Sequence, residues 1–128
     1  MLANRQVPFQ EKLEECLEIN GAMAAAIVDG ASGMAVATVG DLGKCDIDLA
    51  AAGNNEVMRA ELKLLKLLKL DDGVEDMLIS LGDWYELIRP MTDKTGEGLF
   101  VYMALDRKKA NLALARIKLR DVEQALSI

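Results

Sequence analysis

The sequence predicts an α+β fold in which a helix, two strands, a long helix, three strands and a final helix build one sheet with helices over both faces. Three observations predict it. Two short turn signals, Asp29 to Gly33 and Gly82-Asp83, each separate apolar runs of strand length. The span Ile47 to Leu70 keeps apolar residues at three- and four-residue steps. Leu99 to Leu105 is an unbroken apolar run, and a strand of that kind is central, with both of its faces covered. The chain has 128 residues, 52% of them hydrophobic, which fits one domain over residues 1–128 with enough apolar surface for a core.

Phe9, Leu13, Cys16 and Leu17 recur at helical spacing between Glu11, Glu14, Glu15 and Glu18, so Pro8 to Glu18 reads as an amphipathic helix stopped by Asn20-Gly21. Met23 to Val28 and Met34 to Val39 flank the Gly-bearing turn as a β-hairpin. The long helix follows a polar connection from Gly40 to Asp46 and ends at Asp71-Asp72-Gly73, with Gly73 suited to a left-handed cap. Ala50, Gly53, Val57, Ala60, Leu64 and Leu67 form one stripe of it, and Ala51, Met58, Leu62 and Leu65 a second. A helix with two apolar stripes buries both, and in so small a chain the second is best buried on another protein. Arg59, Lys63 and Lys66 make a third, solvated face. Gly53 within the helix weakens it by about 1 kcal/mol against alanine, and close approach of another helix would give it a purpose.

Val74 to Leu81 and Trp84 to Met91 form a second hairpin, with Gly82-Asp83 as a type II′ turn. A polar connection, Thr92 to Gly98, leads to the central strand. Asp106 is positioned to cap the last helix, whose stripe is Leu112, Ala115, Leu119, Val122 and Leu126. Residues 1–58 hold 3 basic and 9 acidic residues, and residues 59–128 hold 12 of each. The acidic first helix is therefore expected beside the last, where Arg107, Lys108, Lys109, Arg116, Lys118 and Arg120 offset its charge.

Composition removes most chemistry. The absence of histidine excludes Ser-His-Asp triads, Cys-His dyads and His-ligated metals. A net charge of −6 with 4% aromatic residues argues against nucleic acid as a partner. No apolar stretch is long enough for a signal peptide or a membrane span, and two cysteines, Cys16 and Cys45, without Cys-x-x-Cys spacing fit free thiols in a reducing cytoplasm. Gly40 to Cys45 departs from a phosphate loop, with Thr38 where its first glycine belongs and no Ser or Thr after Lys44. Asp46, Asp48 and the group Asp71, Asp72, Glu75 and Asp76 do not match a calcium loop and read as caps and turns. The three serines, Ser32, Ser80 and Ser127, have no plausible activating base. No catalytic, cofactor-binding or metal-binding residue is assigned. Met58, Met77, Met91 and Met103 read as core.

The element order, together with Leu81-Gly82-Asp83-Trp84-Tyr85-Glu86-Leu87-Ile88-Arg89-Pro90 and Leu105-Asp106-Arg107-Lys108-Lys109-Ala110-Asn111-Leu112-Ala113-Leu114-Ala115-Arg116, resembles the roadblock family, in particular its small prokaryotic members. The resemblance covers nearly the whole chain. It implies a five-stranded antiparallel sheet between one long helix on one face and two helices on the other. It also implies a homodimer in which the third strands, Met77, Leu78, Ile79 and Ser80 here, join edge to edge while the long helices lie side by side. One stripe would then pack on the sheet and the other on the mate, with Ala50, Gly53, Val57, Ala60, Leu64 and Leu67 as the candidate interface residues; the resemblance does not decide between the stripes. The family role implied is non-enzymatic binding and regulation of a small Ras-like GTPase by positioning the GTPase's own catalytic elements, with Arg59, Lys63 and Lys66 as partner contacts. The competing expectation is a PAS- or GAF-like module, which requires an internal ligand cavity.

Overall fold

A computed structural model describes residues 9–91 and 98–126. Pro8, at the predicted start of the first helix, residues 92–97 of the predicted connection from Thr92 to Gly98, and Ser127 lie outside the described residues. Helix α1 covers residues 9–14 and tightens into a 3-10 turn, Glu15–Glu18. Its apolar positions Phe9, Leu13 and Cys16 are buried, as their spacing predicts, but Leu17, the fourth residue of that set, lies in the 3-10 turn and is exposed. Gly21 turns the chain with φ 85, where an added Cβ would lie 2.9 Å from the Ala110 nitrogen, so only glycine fits.

Strands β1 (Ala22–Asp29) and β2 (Ala35–Gly40) form the first hairpin. The Asp29 carboxylate fixes its turn by accepting hydrogen bonds from the Ala31 N–H and the Ser32 hydroxyl, both at 3.1 Å. Helix α2 (Ile47–Leu67) starts at Asp46, whose side chain accepts from the Asp48 N–H at 2.8 Å. Its end corrects the sequence reading: the left-handed residue is Lys69 (φ 58), not Gly73. The Lys69 N–H bonds the Lys66 carbonyl at 3.1 Å and the Leu70 N–H bonds the Leu65 carbonyl at 3.0 Å, a Schellman closure built on lysine. The leucine repeat runs on to Leu70, but Leu67, Leu68 and Leu70 are exposed and no packing supports further turns.

Strands β3 (Met77–Ser80), β4 (Trp84–Pro90) and β5 (Leu99–Asp106) complete one five-stranded sheet of order β2-β1-β5-β4-β3, antiparallel throughout. β5 is central, as its composition requires. Two details of the second hairpin differ from the sequence reading. β3 begins at Met77 rather than Val74, because long-range partners hold the preceding residues. Arg89 donates to the Glu75 carbonyl at 3.4 Å, and Arg116 makes two bonds of 2.9 Å to the Asp76 carboxylate. The turn is not type II′, since Gly82 lacks the left-handed φ that type requires. Arg107 intervenes there: its guanidinium donates to the Leu81 carbonyl at 2.8 Å and lies over the Tyr85 ring, and its N–H bonds the Asp83 carbonyl at 3.1 Å.

Helix α3 (Leu112–Ala125) is capped by Asn111, which accepts from the Leu114 N–H at 3.1 Å. Asp106, the expected cap, instead accepts from the Lys108 N–H at 3.0 Å in the turn that leaves β5. The α3 stripe Ala115, Leu119, Val122 and Leu126 packs with α1 against Val101, Met103 and Leu105 of β5. The alternate β5 residues Phe100, Tyr102 and Ala104 face α2. Thus α1 and α3 share one face and α2 covers the other. The acidic first helix does lie beside the last, but the expected offset of charge takes another route: Lys12 pairs with Glu15 inside the first helix, and Arg116 pairs with Asp76.

Candidate functional site

The two stripes of α2 have different environments. Ala51 and Met58 are buried against Ala24, Ala26, Val28, Phe100 and Tyr102, with Asn54 and Asn55 between them. Asn54 donates to the Ala50 carbonyl at 2.8 Å and to the Glu86 carboxylate of β4 at 3.0 Å. The same carboxylate oxygen accepts from the Tyr102 hydroxyl at 2.7 Å. Burial first, and then the Glu86 carboxylate, push the Tyr102 phenol well above its ordinary range. Asn55 sits under the β1–β2 turn, 3.1 Å from where a Cβ on Gly33 would stand, and its buried Oδ1 has no hydrogen-bond partner among the described residues. These two asparagines fix the rotation of the helix: Asn54 points to β4 and Asn55 to the hairpin turn.

That rotation turns the other stripe outward. Gly53, Val57, Ala60, Leu64 and Leu67 are exposed, Leu64 to 45% and Leu67 to 71%, and Ala50 is half-buried. A Cβ on Gly53 would meet nothing within 4 Å among the described residues, so these give no reason for glycine in mid-helix. Leu62, placed by spacing in the sheet-facing stripe, is exposed and Leu65 half-buried, because the packed part of the helix ends near Met58. Helical geometry puts Val57 and Leu64 on the Asn54 side, toward β4 and β3, and Arg59 and Lys66 on the Asn55 side, toward β2, with Lys63 next to them. Arg59, Lys63 and Lys66 are all exposed. Val57 and Leu64 are therefore on the opposite flank from Arg59 and Lys66, while Ala60 and Leu67 lie beside Lys63 on the outer face.

The sheet edges differ as well. Leu81 donates to the Trp84 carbonyl at 2.8 Å, so the alternation of an antiparallel ladder turns the backbone groups of Met77 and Ile79 toward β4 and those of Leu78 and Ser80 toward the open side. No side chain among the described residues caps them. On the opposite edge the Thr38 carbonyl of β2 accepts from the Gln10 side chain of α1 at 3.0 Å. Between β3 and the end of α2 runs a groove of about 450 Å³, whose lining includes Glu61, Leu65, Leu70, Asp72, Met77 and Leu78.

Sequence reasoning missed the polar residues of the core. Asn54 and Asn55 stand at sheet-facing spacing from Ala51 and Met58, and Glu123 stands between Leu119 and Leu126 on the α3 stripe, which is the signal that exposes them. Glu123 forms a fully buried ion pair of 2.7 Å with Arg89 of β4. Cys16 is buried, and burial, with the Glu15 charge added, pushes its thiol up to about 12; Cys45 is exposed. Gly40 to Cys45 forms a tight turn in which the Gly43 N–H bonds the Asp41 carboxylate at 2.7 Å. An open groove of about 630 Å³ beside it is lined by Met23, Leu42, Cys45 and Trp84, among others. Among the described residues no group of three or more acidic or Cys side chains is placed to hold a metal, and no helix is long and apolar enough to cross a membrane.

No protein-family model matches the chain, and no curated protein is significantly similar to it in sequence. Solved structures do match. The gliding protein MglB of Thermus thermophilus superposes with a TM-score of 0.75 at 20% identity, over 98% of this chain and 88% of that one. A Roadblock/LC7 domain from Streptomyces avermitilis gives 0.75 at 11% identity, over 91% and 92%. MglB of Myxococcus xanthus gives 0.73 at 13% identity, over 96% and 91%. With a five-stranded antiparallel sheet held between α2 and the α1–α3 pair and these superpositions, the chain adopts the roadblock-type fold.

Proposed function

We propose that this chain is a non-enzymatic homodimeric adaptor that binds a small Ras-like GTPase and regulates it by positioning the GTPase's own catalytic elements. The observation that carries the reading is the coincidence of two unpartnered features on one side of the molecule. Val57 and Leu64 of the outward stripe Ala50, Gly53, Val57, Ala60, Leu64 and Leu67 lie on the side of α2 toward β3, whose edge Met77, Leu78, Ile79 and Ser80 is open. A second copy related by a twofold axis satisfies both at once: β3 pairs with β3 and α2 lies on α2. One similar structure is described as MglB with a tetrameric arrangement, which supports association between copies of this fold.

The GTPase assignment rests on the family resemblance and on the likeness to MglB. Arg59 and Lys66, on the opposite flank from Val57 and Leu64, and Lys63 on the outer face are the partner contacts in this reading. The two free cysteines agree with a reducing cytoplasm as the working compartment. Ligand sensing of the PAS or GAF type has less support, because Met58, Phe100 and Tyr102 fill the space between α2 and the sheet and the groove at Trp84 is open. Capture of a small GTPase in its GDP- and GTP-loaded forms tests the reading. Preference for one form supports it, and indifference to both overturns it.

A further inference from the structure

From Arg59 to Leu70 the chain holds six leucines and four basic residues, Arg59, Lys63, Lys66 and Lys69, against a single acidic one, Glu61. All of these except Glu61 and Leu65 are exposed. The lysines recur every third residue, and the leucines at the tip are among the most exposed of the chain, Leu67 at 71% and Leu68 at 57%. This cationic end belongs to a chain of net charge −6, so its attraction is local and not a property of the whole molecule. Asp71 and Asp72 follow only after the Lys69 cap has turned the backbone, and Asp72 lines the groove toward β3 together with Glu61.

Two kinds of surface compete for such a tip. Protein interfaces are depleted of lysine and enriched in aromatic residues, methionine and arginine. A helix that lies in a membrane interface carries leucine on its buried side with lysines flanking it, their stems along the apolar layer and their ammonium groups on anionic headgroups. Residues 62–70 hold leucine and lysine and nothing else.

We propose that this leucine and lysine end of α2 docks the protein on an anionic lipid surface, with Leu68 and Leu70 in the interfacial layer and Lys63, Lys66 and Lys69 on the headgroups. The docking is peripheral, since α2 does not qualify as a membrane-spanning helix. It goes beyond the adaptor reading: it requires no GTPase, and it shares only Lys63 and Lys66 with the residues that reading uses.

The test is co-sedimentation of the full chain with vesicles of phosphatidylcholine containing about one-third phosphatidylserine, with pure phosphatidylcholine as the neutral arm. The protein is expected to pellet with the anionic vesicles, to be released by salt, and to lose about tenfold or more in partitioning in the double variant Lys66→Glu/Lys69→Glu. Leu68→Ser/Leu70→Ser should lose binding to a similar extent. All four positions are exposed, so an unchanged melting temperature certifies the fold of both variants. Absence of pelleting, equal recovery on neutral vesicles, or binding untouched by either variant overturns the proposal. If the wild type ignores vesicles while the lysine variant loses capture of the GTPase, the tip belongs to a protein partner: the lipid proposal fails and the adaptor reading stands.

Discussion

Glu123 and Arg89 lie 34 residues apart and meet with both charges removed from water. Breaking such a pair leaves one buried charge unmatched, so Glu123→Ala is expected to lower the unfolding free energy by about 3–5 kcal/mol, while Arg89→Met/Glu123→Leu recovers part of that loss, the Arg89 bond to the Glu75 carbonyl going with it. Urea unfolding of the three proteins checks both expectations. Burial also shapes the pH response. The Cys16 thiol, ordinarily at 9.0, ionises at about 12 in the folded chain, and the Tyr102 phenol is raised as well. Both groups release protons more readily when unfolded, so the contribution of Cys16 is complete below about pH 9 and is lost as pH climbs toward 12, and that of Tyr102 begins to be lost only above its ordinary value of 10.0. Thermal melts across that window should show a falling midpoint, with a shallower fall in Cys16→Ala. The burial of Cys16 was legible from its place on an apolar stripe. The role of Glu123 was not, because helical spacing marks its position but says nothing of a partner on a distant strand.

The elements themselves were largely legible, and their misplaced ends have identifiable causes. Spacing located α2, but nothing local distinguishes Lys69 from the lysines before it, whereas Gly73 carries the usual mark of a cap. A lysine at φ 58 is strained, and Lys69→Gly is expected to stabilise the protein by about 0.5–1 kcal/mol, measured by chemical denaturation. The start of β3 depends on Arg89 and Arg116 pulling residues 75 and 76 out of the ladder, which no window of neighbouring sequence contains. Leu78 supplies the test of the edge. Its N–H points away from β4, so proline there spares the β3–β4 bonds but removes an outward donor in each copy of a twofold pair. Leu78→Pro should weaken self-association by about 2 kcal/mol, as about 1 kcal/mol for each lost bond implies. Sedimentation equilibrium reads the change, and an unaltered dissociation constant would remove β3 from the interface.

At the scale of the molecule, the layered sheet with β5 at its centre followed from one unbroken apolar run, because a strand without polar residues needs cover on both faces. The division of α2 into a packed side and an outward side was legible as two stripes. Which stripe took which side was not, since that choice is made by Asn54 reaching Glu86 and Asn55 lying under the Gly33 turn. The account depends on the outward stripe being covered by a second copy. Size-exclusion chromatography with light scattering on the wild type, Gly53→Glu, Leu64→Glu and Lys63→Glu tests this most directly. The predicted result is twice the 13.9 kDa chain mass for the wild type and Lys63→Glu, and single chains or insoluble protein for Gly53→Glu and Leu64→Glu. A wild type that runs at 13.9 kDa at every concentration, or dimers unchanged in all three variants, would contradict it.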